Sequence, residues 1–343
     1  MPEHSTPRAI LKGLLRGEPP PRPLLMPIIF SLGARLENLP LREFQSNPTK
    51  ISNALRQIRS VLKVDGVTCY FDPFLEAEAL GCKREWLPDG SCRLVPPSFS
   101  EIDDLHQQLN SPDSLTDKGR MPVACQVIQR LKVMLKDEPV LMSCMNGPFT
   151  LAAQLLGKDG AGSATEPPRD LIEFAAEVTA AVSRSFLEAG ADAIFLIERF
   201  LPEFSSGTCR WYSSLLAPIA NVIRFYEALP VLLLGSEALA GKNQTVIADC
   251  DWEFVLCPSV VDPKKVWLPA RSLGCGWALP HQTFHCNQLN SGYLGNICSS
   301  DRRWLLTSSG DLPATTDIAQ LSDGLGSFRQ LFLAQQPLSH PGS

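Results

Sequence analysis

The chain has 343 residues, 44% hydrophobic, 20% charged and 8% aromatic, a composition that excludes a disordered, collagenous or coiled-coil chain. With 36 acidic and 31 basic residues the net charge is −5, and no basic stripe marks a nucleic-acid or membrane-surface protein. The 11 cysteines are an odd total with no Cys-x-x-Cys pair. The polar start from Met1 to Pro7, and no apolar run long enough to span a membrane, lead us to expect a cytoplasmic chain with reduced thiols.

Arg8 to Gly17 reads as a short amphipathic helix, ended by the proline-rich run at 18–23, where donors are lost and the backbone is forced to extend. From there, short apolar runs alternate with helix-period stretches. Leu24 to Phe30 and Val64 to Phe71 flank the helical pattern Ile51 to Leu62, and Val140 to Met145 and Ala193 to Ile197 flank Asp170 to Ala189. Trp211 to Ala228 reads as a helix before the apolar run Val231 to Leu234. The runs Phe254 to Cys257, Cys275 to Leu279 and Trp304 to Thr307 follow, then a last helical stretch, Ala319 to Leu331.

Eight buried-type strands separated by helices predict one parallel (β/α)8 TIM barrel over residues 24–335, after a segment 1–23 and before a tail 336–343. A doubly wound sheet is the alternative. It is weakened because no Gly-x-Gly-x-x-Gly follows the first strand and there is no Walker loop. Asp89-Gly90 between two short alternating segments in 84–95 predicts an inserted β-hairpin, and 157–168 reads as a Gly/Ala/Ser/Pro connection.

In a parallel barrel the active site forms at the C-terminal ends of the strands. Those ends supply Ser31 and Arg35, Tyr70 and Asp72, Asn146 with Gln154, Glu198 and Arg199, Ser236 and Glu237, and Ser308 to Asp311. Asp72 closes the run Val67 to Phe71 and precedes Pro73, so it falls where strand gives way to loop. An isolated carboxylate there can accept hydrogen bonds, stabilise a cation or act as a base, or it can cap the following helix. Glu198 and Arg199 could contact a substrate or pair with each other. His281 and His285, four residues apart and followed by Cys286, have Cys257, Cys275 and Cys298 nearby in sequence. They are metal-ligand types, although packing thiols account for them more simply. Asn243-Gln244-Thr245 fits a glycosylation acceptor that a cytoplasmic chain does not use.

Three segments carry a family resemblance. Phe71-Asp72-Pro73-Phe74-Leu75-Glu76-Ala77-Glu78-Ala79-Leu80-Gly81-Cys82 resembles the second-strand motif of the uroporphyrinogen decarboxylase superfamily, and its Glu76 to Cys82 part the methylcobamide-dependent methyltransferase branch. Asn146-Gly147-Pro148-Phe149-Thr150-Leu151-Ala152 resembles the third-strand motif, and Glu188 to Ile194 the entry to the fourth strand. The resemblance implies a (β/α)8 barrel and two chemistries. Decarboxylases of the family use no cofactor: an aspartate, matched by Asp72, holds pyrrole N–H groups while arginines bind carboxylates. Arg35 could match one such arginine, but the second falls at Ser31, the family tyrosine at Gln154, and no histidine stands near Thr307 to Asp311. The methyltransferase branch activates a thiol on zinc held by His-x-Cys after the fifth strand and a cysteine after the eighth. Leu234, Ser236 and Gly310 stand at those positions.

The resemblance therefore implies an enzyme that binds a tetrapyrrole, a corrinoid or a methylated small molecule. The expected activity is corrinoid-linked methyl transfer by a zinc-independent variant, with a corrinoid (cobalamin) as co-substrate and a corrinoid protein as candidate partner. No metal site is expected. Asp72 would be the catalytic group, with Arg35, Asn146, Gln154, Glu198 and Arg199 binding substrate. Cofactor-free decarboxylation of a porphyrinogen through Asp72, and a non-catalytic ligand-binding barrel, are the alternatives.

Overall fold

The computed structural model describes residues 6–87, 92–96, 115–157, 166–199, 201, 206–235, 254–258, 274–285 and 303–334. In chain order the elements begin with helix α1 (Pro7–Leu15), strand β1 (Leu24–Leu25), helices α2 (Ser31–Leu36), α3 (Leu41–Phe44) and α4 (Pro48–Leu62), strand β2 (Gly66–Thr68) and helix α5 (Leu75–Ala79). Strands β3 (Lys83–Trp86) and β4 (Cys92–Val95) follow, then α6 (Met121–Leu135), β5 (Val140–Asn146), α7 (Pro148–Leu155), α8 (Arg169–Ala189) and β6 (Ala193–Glu198). The last are α9 (Ser206–Phe225), β7 (Leu229–Leu234), β8 (Phe254–Pro258), β9 (Gly274–Leu279), a 3-10 turn (His281–His285), β10 (Arg303–Ser308) and α10 (Ile318–Ala334).

Eight parallel strands form one sheet in the order β1-β10-β9-β8-β7-β6-β5-β2. Its two ends meet through side chains as well as backbone. The Asp65 N–H donates to the Leu25 carbonyl at 2.9 Å, the Leu25 N–H to Asp65 Oδ2 at 2.8 Å, and the Ile29 N–H to Thr68 Oγ1 at 3.3 Å. This is the expected (β/α)8 TIM barrel, and each of the eight apolar runs overlaps one of its strands. β3 and β4 pair antiparallel, Arg84 opposite Leu94, as a separate two-stranded ribbon. The hairpin is thus present, and its Asp89-Gly90 turn lies outside the described residues.

Alternation along the strands sorts the core into two shells. Val140, Met142 and Cys144 of β5, Ala193, Phe195 and Ile197 of β6, and Leu229, Val231 and Leu233 of β7 fill the barrel axis. Leu141, Ile194, Leu196, Leu232 and Leu234 pack in the layer shared with the surrounding helices. Helix α1 contributes Ile10, Leu11 and Leu14 to the axial cluster, so it plugs one end of the barrel. Arg8 anchors it there, 2.6 Å from Asp192 at the entrance to β6, and Asp192 also accepts the Leu141 N–H at 2.9 Å. The plugged end is the one where strands begin, which leaves the C-terminal strand ends as the mouth.

Three sequence expectations shift. The apolar runs at 24–30 and 64–71 hold only short ladders, because the chain leaves the sheet early to carry Ile28 to Phe30 and Tyr70 to Asp72 across the mouth. Helix α6, which sequence periodicity did not single out, covers Met121–Leu135. His281 and His285 lie on a 3-10 turn, not an α-helix, so residues four apart sit about 120° apart around the axis instead of sharing a face. Cys286 and Cys298 lie outside the described residues. Among the described residues no three His, Cys, Asp or Glu side chains gather as a metal-binding group, and no helix is long and apolar enough to cross a membrane.

Candidate functional site

The loop after β2 carries the densest polar chemistry at the mouth. Asp72 is fully buried, its side chain 0% exposed. Oδ1 accepts the Phe74 N–H at 3.0 Å and Oδ2 accepts Arg84 Nη2 at 2.5 Å, with Arg120 Nη2 3.5 Å away. Arg84 comes from the hairpin strand β3 and Arg120 from the residue preceding α6. Both guanidiniums also hold Glu78, at 2.5 and 2.6 Å. Burial raises the Glu78 carboxyl, but Arg120 and Arg84 outweigh it and the net shift is downward. Arg84 lies over the Phe74 ring, 5.5 Å from its centroid, and Arg120 Nη1 donates to Gln45 Oε1 at 2.6 Å. One buried carboxylate, one partly exposed carboxylate and two arginines thus bind the hairpin, α5 and α6 together beside the mouth. The turn after α5 depends on Gly81, whose φ of +93° favours a residue without a Cβ.

A second cluster lies at the end of β5. Asn146 follows Val140, Met142 and Cys144 on the axial side of the strand, which directs its side chain to the mouth. Its Nδ2 has three acceptors: the Pro73 carbonyl at 2.8 Å, Glu76 Oε2 at 2.8 Å and Gln154 Oε1 at 3.3 Å. The Asn146 N–H donates to Glu76 Oε1 at 3.3 Å, and Gln154 Nε2 donates to the Pro73 carbonyl at 2.8 Å. Glu76 and Gln154 are fully buried. Burial raises the Glu76 carboxyl to about 7, against the pull of the donors around it.

Glu198 belongs to a third arrangement. It shares the outward parity of Ile194 and Leu196, so it faces the helix layer rather than the axis. Oε1 accepts the Phe149 N–H at 3.1 Å and the Tyr212 hydroxyl at 2.6 Å, and Oε2 accepts the Thr150 N–H at 2.9 Å and the Thr150 hydroxyl at 2.7 Å. These are the open donors at the start of α7, so Glu198 acts as a cap supplied by the neighbouring strand. Gly147 makes room for it, since a Cβ there would lie 2.4 Å from the carboxylate. Burial raises the Glu198 carboxyl to about 7 despite those four donors.

The remaining candidates lie elsewhere. Arg35 is exposed on α2 and donates to the Thr316 carbonyl at 2.9 Å, tying α2 to the chain leading into α10. Arg199 is half-buried, and its N–H donates to Thr150 Oγ1 at 2.9 Å. Asp311 caps the start of α2 through the Phe30 and Ser31 N–H groups at 2.7 and 2.9 Å. Ser236 and Glu237 lie outside the described residues. Asp72, Asn146 and Gln154 therefore meet around the Pro73–Glu76 turn, while Arg35 and Glu198 serve other joints.

Glu76, Arg84 and Arg120 join this candidate site without having been singled out in the sequence. Glu76 was visible inside the second-strand motif, where an acidic residue reads as an ordinary helix surface. The two arginines reach the site only through the docking of the hairpin and α6.

A family model described as uroporphyrinogen decarboxylase (URO-D) matches residues 6–209, more than half of the chain. The chain belongs to the URO-D family. Among curated proteins, a methylated-thiol–coenzyme M methyltransferase of Methanosarcina mazei is 24% identical over 194 residues, 55% of this chain and 51% of that protein. The chain thus matches about half the length of that relative. Among solved structures, a methyltransferase from Methanosarcina mazei superposes with a TM-score of 0.71 at 16% identity, covering 96% of this chain and 99% of that one. At that identity the likeness establishes the fold.

The zinc implied by resemblance to the methyltransferase branch of the URO-D family does not fit this chain. Leu234 is buried hydrocarbon, 1% exposed, and Gly310 has no side chain. A Cβ at Gly310 would enter open space, so a ligand there is missing from the sequence rather than blocked by packing. Cys69, Cys82 and Cys144 are buried single thiols, and burial raises all three, Cys82 to about 12. They pack as small apolar residues.

Proposed function

We propose that this URO-D family protein is a methyltransferase that moves a methyl group from a corrinoid to a small thiol without a zinc site. The match to a relative named as a methylated-thiol–coenzyme M methyltransferase carries this reading. The mouth supports it over porphyrinogen decarboxylation. A polycarboxylate substrate needs several fixed cations, whereas Arg84 and Arg120 are spent on Asp72 and Glu78, and Arg35 on a backbone carbonyl. Both Asp72 oxygens are already taken, by the Phe74 N–H and by Arg84, so we assign it to fixing the hairpin.

The corrinoid is a co-substrate here, presented by a partner protein or free. In the transfer, sulfur forms a bond to the methyl carbon as the carbon–cobalt bond breaks. The bonding pair stays on cobalt, which is reduced from Co(III) to Co(I), and the thiol proton goes to solvent. We assign Asn146 to orienting the thiol, because it ends the axial side of β5, and Gln154, buried against it, to holding it in place. Arg199, half-buried just past the end of β6, is proposed as a second contact for the substrate.

Incubation with methylcobalamin and 2-mercaptoethanesulfonate tests the reading. Protein-dependent loss of the methylcobalamin absorbance with formation of the S-methyl product is expected. Turnover of uroporphyrinogen instead, or of neither substrate, overturns it.

A further inference from the structure

The Asn146 carboxamide can occupy its position in only one orientation. Its nitrogen is surrounded by three oxygens, of Pro73, Glu76 and Gln154. Turned over, Oδ1 would face the Pro73 carbonyl and Glu76 Oε2 at 2.8 Å, with acceptor against acceptor. Asn146 Oδ1 is then the one polar atom of that side chain with no bond to the protein among the described residues, and it stands at the axial end of β5. We propose that Glu76 is a positioning residue that fixes this orientation, so that Asn146 offers the mouth a hydrogen-bond acceptor and the site selects a ligand with an S–H, N–H or O–H donor. The identification of that donor as a thiol S–H rests on the proposed methyl transfer; the orientation of the amide does not.

As a carboxylate, Glu76 accepts the Asn146 side-chain N–H at Oε2 and the Asn146 backbone N–H at Oε1 and has no proton to offer an overturned amide. Once Glu76 is protonated, its O–H can donate to an overturned amide, and Pro73 and Gln154 alone oppose the flip. Asp72 from the same loop and Cys144 from β5 face Glu76. Arg84 and Arg120 are paired with Asp72 and Glu78. Protonation near neutral pH follows from burial, which raises this carboxyl to about 7.

The experiment uses the full chain carrying 15N-asparagine, with the Asn146 side-chain NH2 signal assigned by its loss in Asn146→Asp. Between pH 5.5 and 8.5 that signal is expected to titrate with a midpoint near 7 in wild type and to stay flat in Glu76→Gln. A flat wild-type signal, or the same titration in Glu76→Gln, overturns the positioning role. If Glu76→Gln does not fold, the wild-type titration decides alone. At pH 8, 2-mercaptoethanesulfonate is expected to shift the signal and its S-methyl thioether, which has no donor, to leave it unmoved. Equal shifts overturn the donor preference. If methyl transfer occurs, Glu76→Gln is expected to raise KM for the thiol about tenfold, the equivalent of one hydrogen bond, with kcat little changed. Absence of transfer with an intact titration refutes the proposed activity and leaves the amide orientation standing.

Discussion

Removing Arg84 should expose how the hairpin is held. Arg84→Met keeps most of the hydrocarbon that lies over Phe74 but deletes the cation bound to Asp72 and Glu78. Asp72 then keeps a full charge in a side chain with 0% exposure, and its nearest cation is Arg120 at 3.5 Å. Breaking a buried pair by removing one partner costs about 3–5 kcal/mol, and the surviving Arg120 places this case near the lower end, about 3 kcal/mol. Glu78, which is partly solvated and still paired with Arg120 at 2.6 Å, adds little. Urea unfolding followed by tryptophan fluorescence reads the loss. The double variant Arg84→Met/Asp72→Asn removes the stranded charge and should recover about 1 kcal/mol or more. A single-variant loss below about 1 kcal/mol, or a double variant no more stable than Arg84→Met, refutes the reasoning.

Other expectations follow from the same geometry. Both Glu198 oxygens accept a backbone N–H, so the NH2 of Glu198→Gln confronts a donor whichever way it turns; about 2 kcal/mol of stability should be lost in urea unfolding. Glu76 and Glu198 both rise to about 7 on folding from the ordinary 4.5, so the folded chain binds more protons than the unfolded chain between those values. Their contribution is therefore present in acid and is lost as pH rises through 7. Between pH 5.5 and 8 each should cost about 2 kcal/mol of unfolding free energy, and Glu76→Gln should flatten its share. Gly310→Cys enters open space and should change stability by less than about 0.5 kcal/mol, without conferring zinc binding measurable by elemental analysis.

The barrel was legible because buried parallel strands leave continuous apolar runs, and such runs mark all eight strands from Leu24 to Ser308. The site was legible only in part. Asn146 was named for its place at a strand end and Gln154 for its place on the following helix, and the two meet. Glu198 was chosen by the same rule, yet the alternation of Ala193, Phe195 and Ile197 along the axis already places the next residue on the helix side. A strand end specifies height in the barrel, and parity specifies which way a side chain faces; both are needed. The partners of Asp72 could not be read at all, because Arg84 and Arg120 lie 12 and 48 residues away and reach it through tertiary docking. The cysteine count raised the question of metal, and the sequence answered it against a site, since the positions that the resemblance gives to zinc ligands hold Leu234, Ser236 and Gly310.

The most direct test of the central claim follows a deuterated methyl group from methylcobalamin to 2-mercaptoethanesulfonate by mass spectrometry, using protein treated exhaustively with a strong zinc chelator. Labelled S-methyl product, formed at the same rate before and after chelation and much more slowly by Asn146→Leu, is the expected result. Transfer that disappears with the chelator, or a rate indifferent to Asn146, would contradict a zinc-independent methyl-transfer site built on the end of β5.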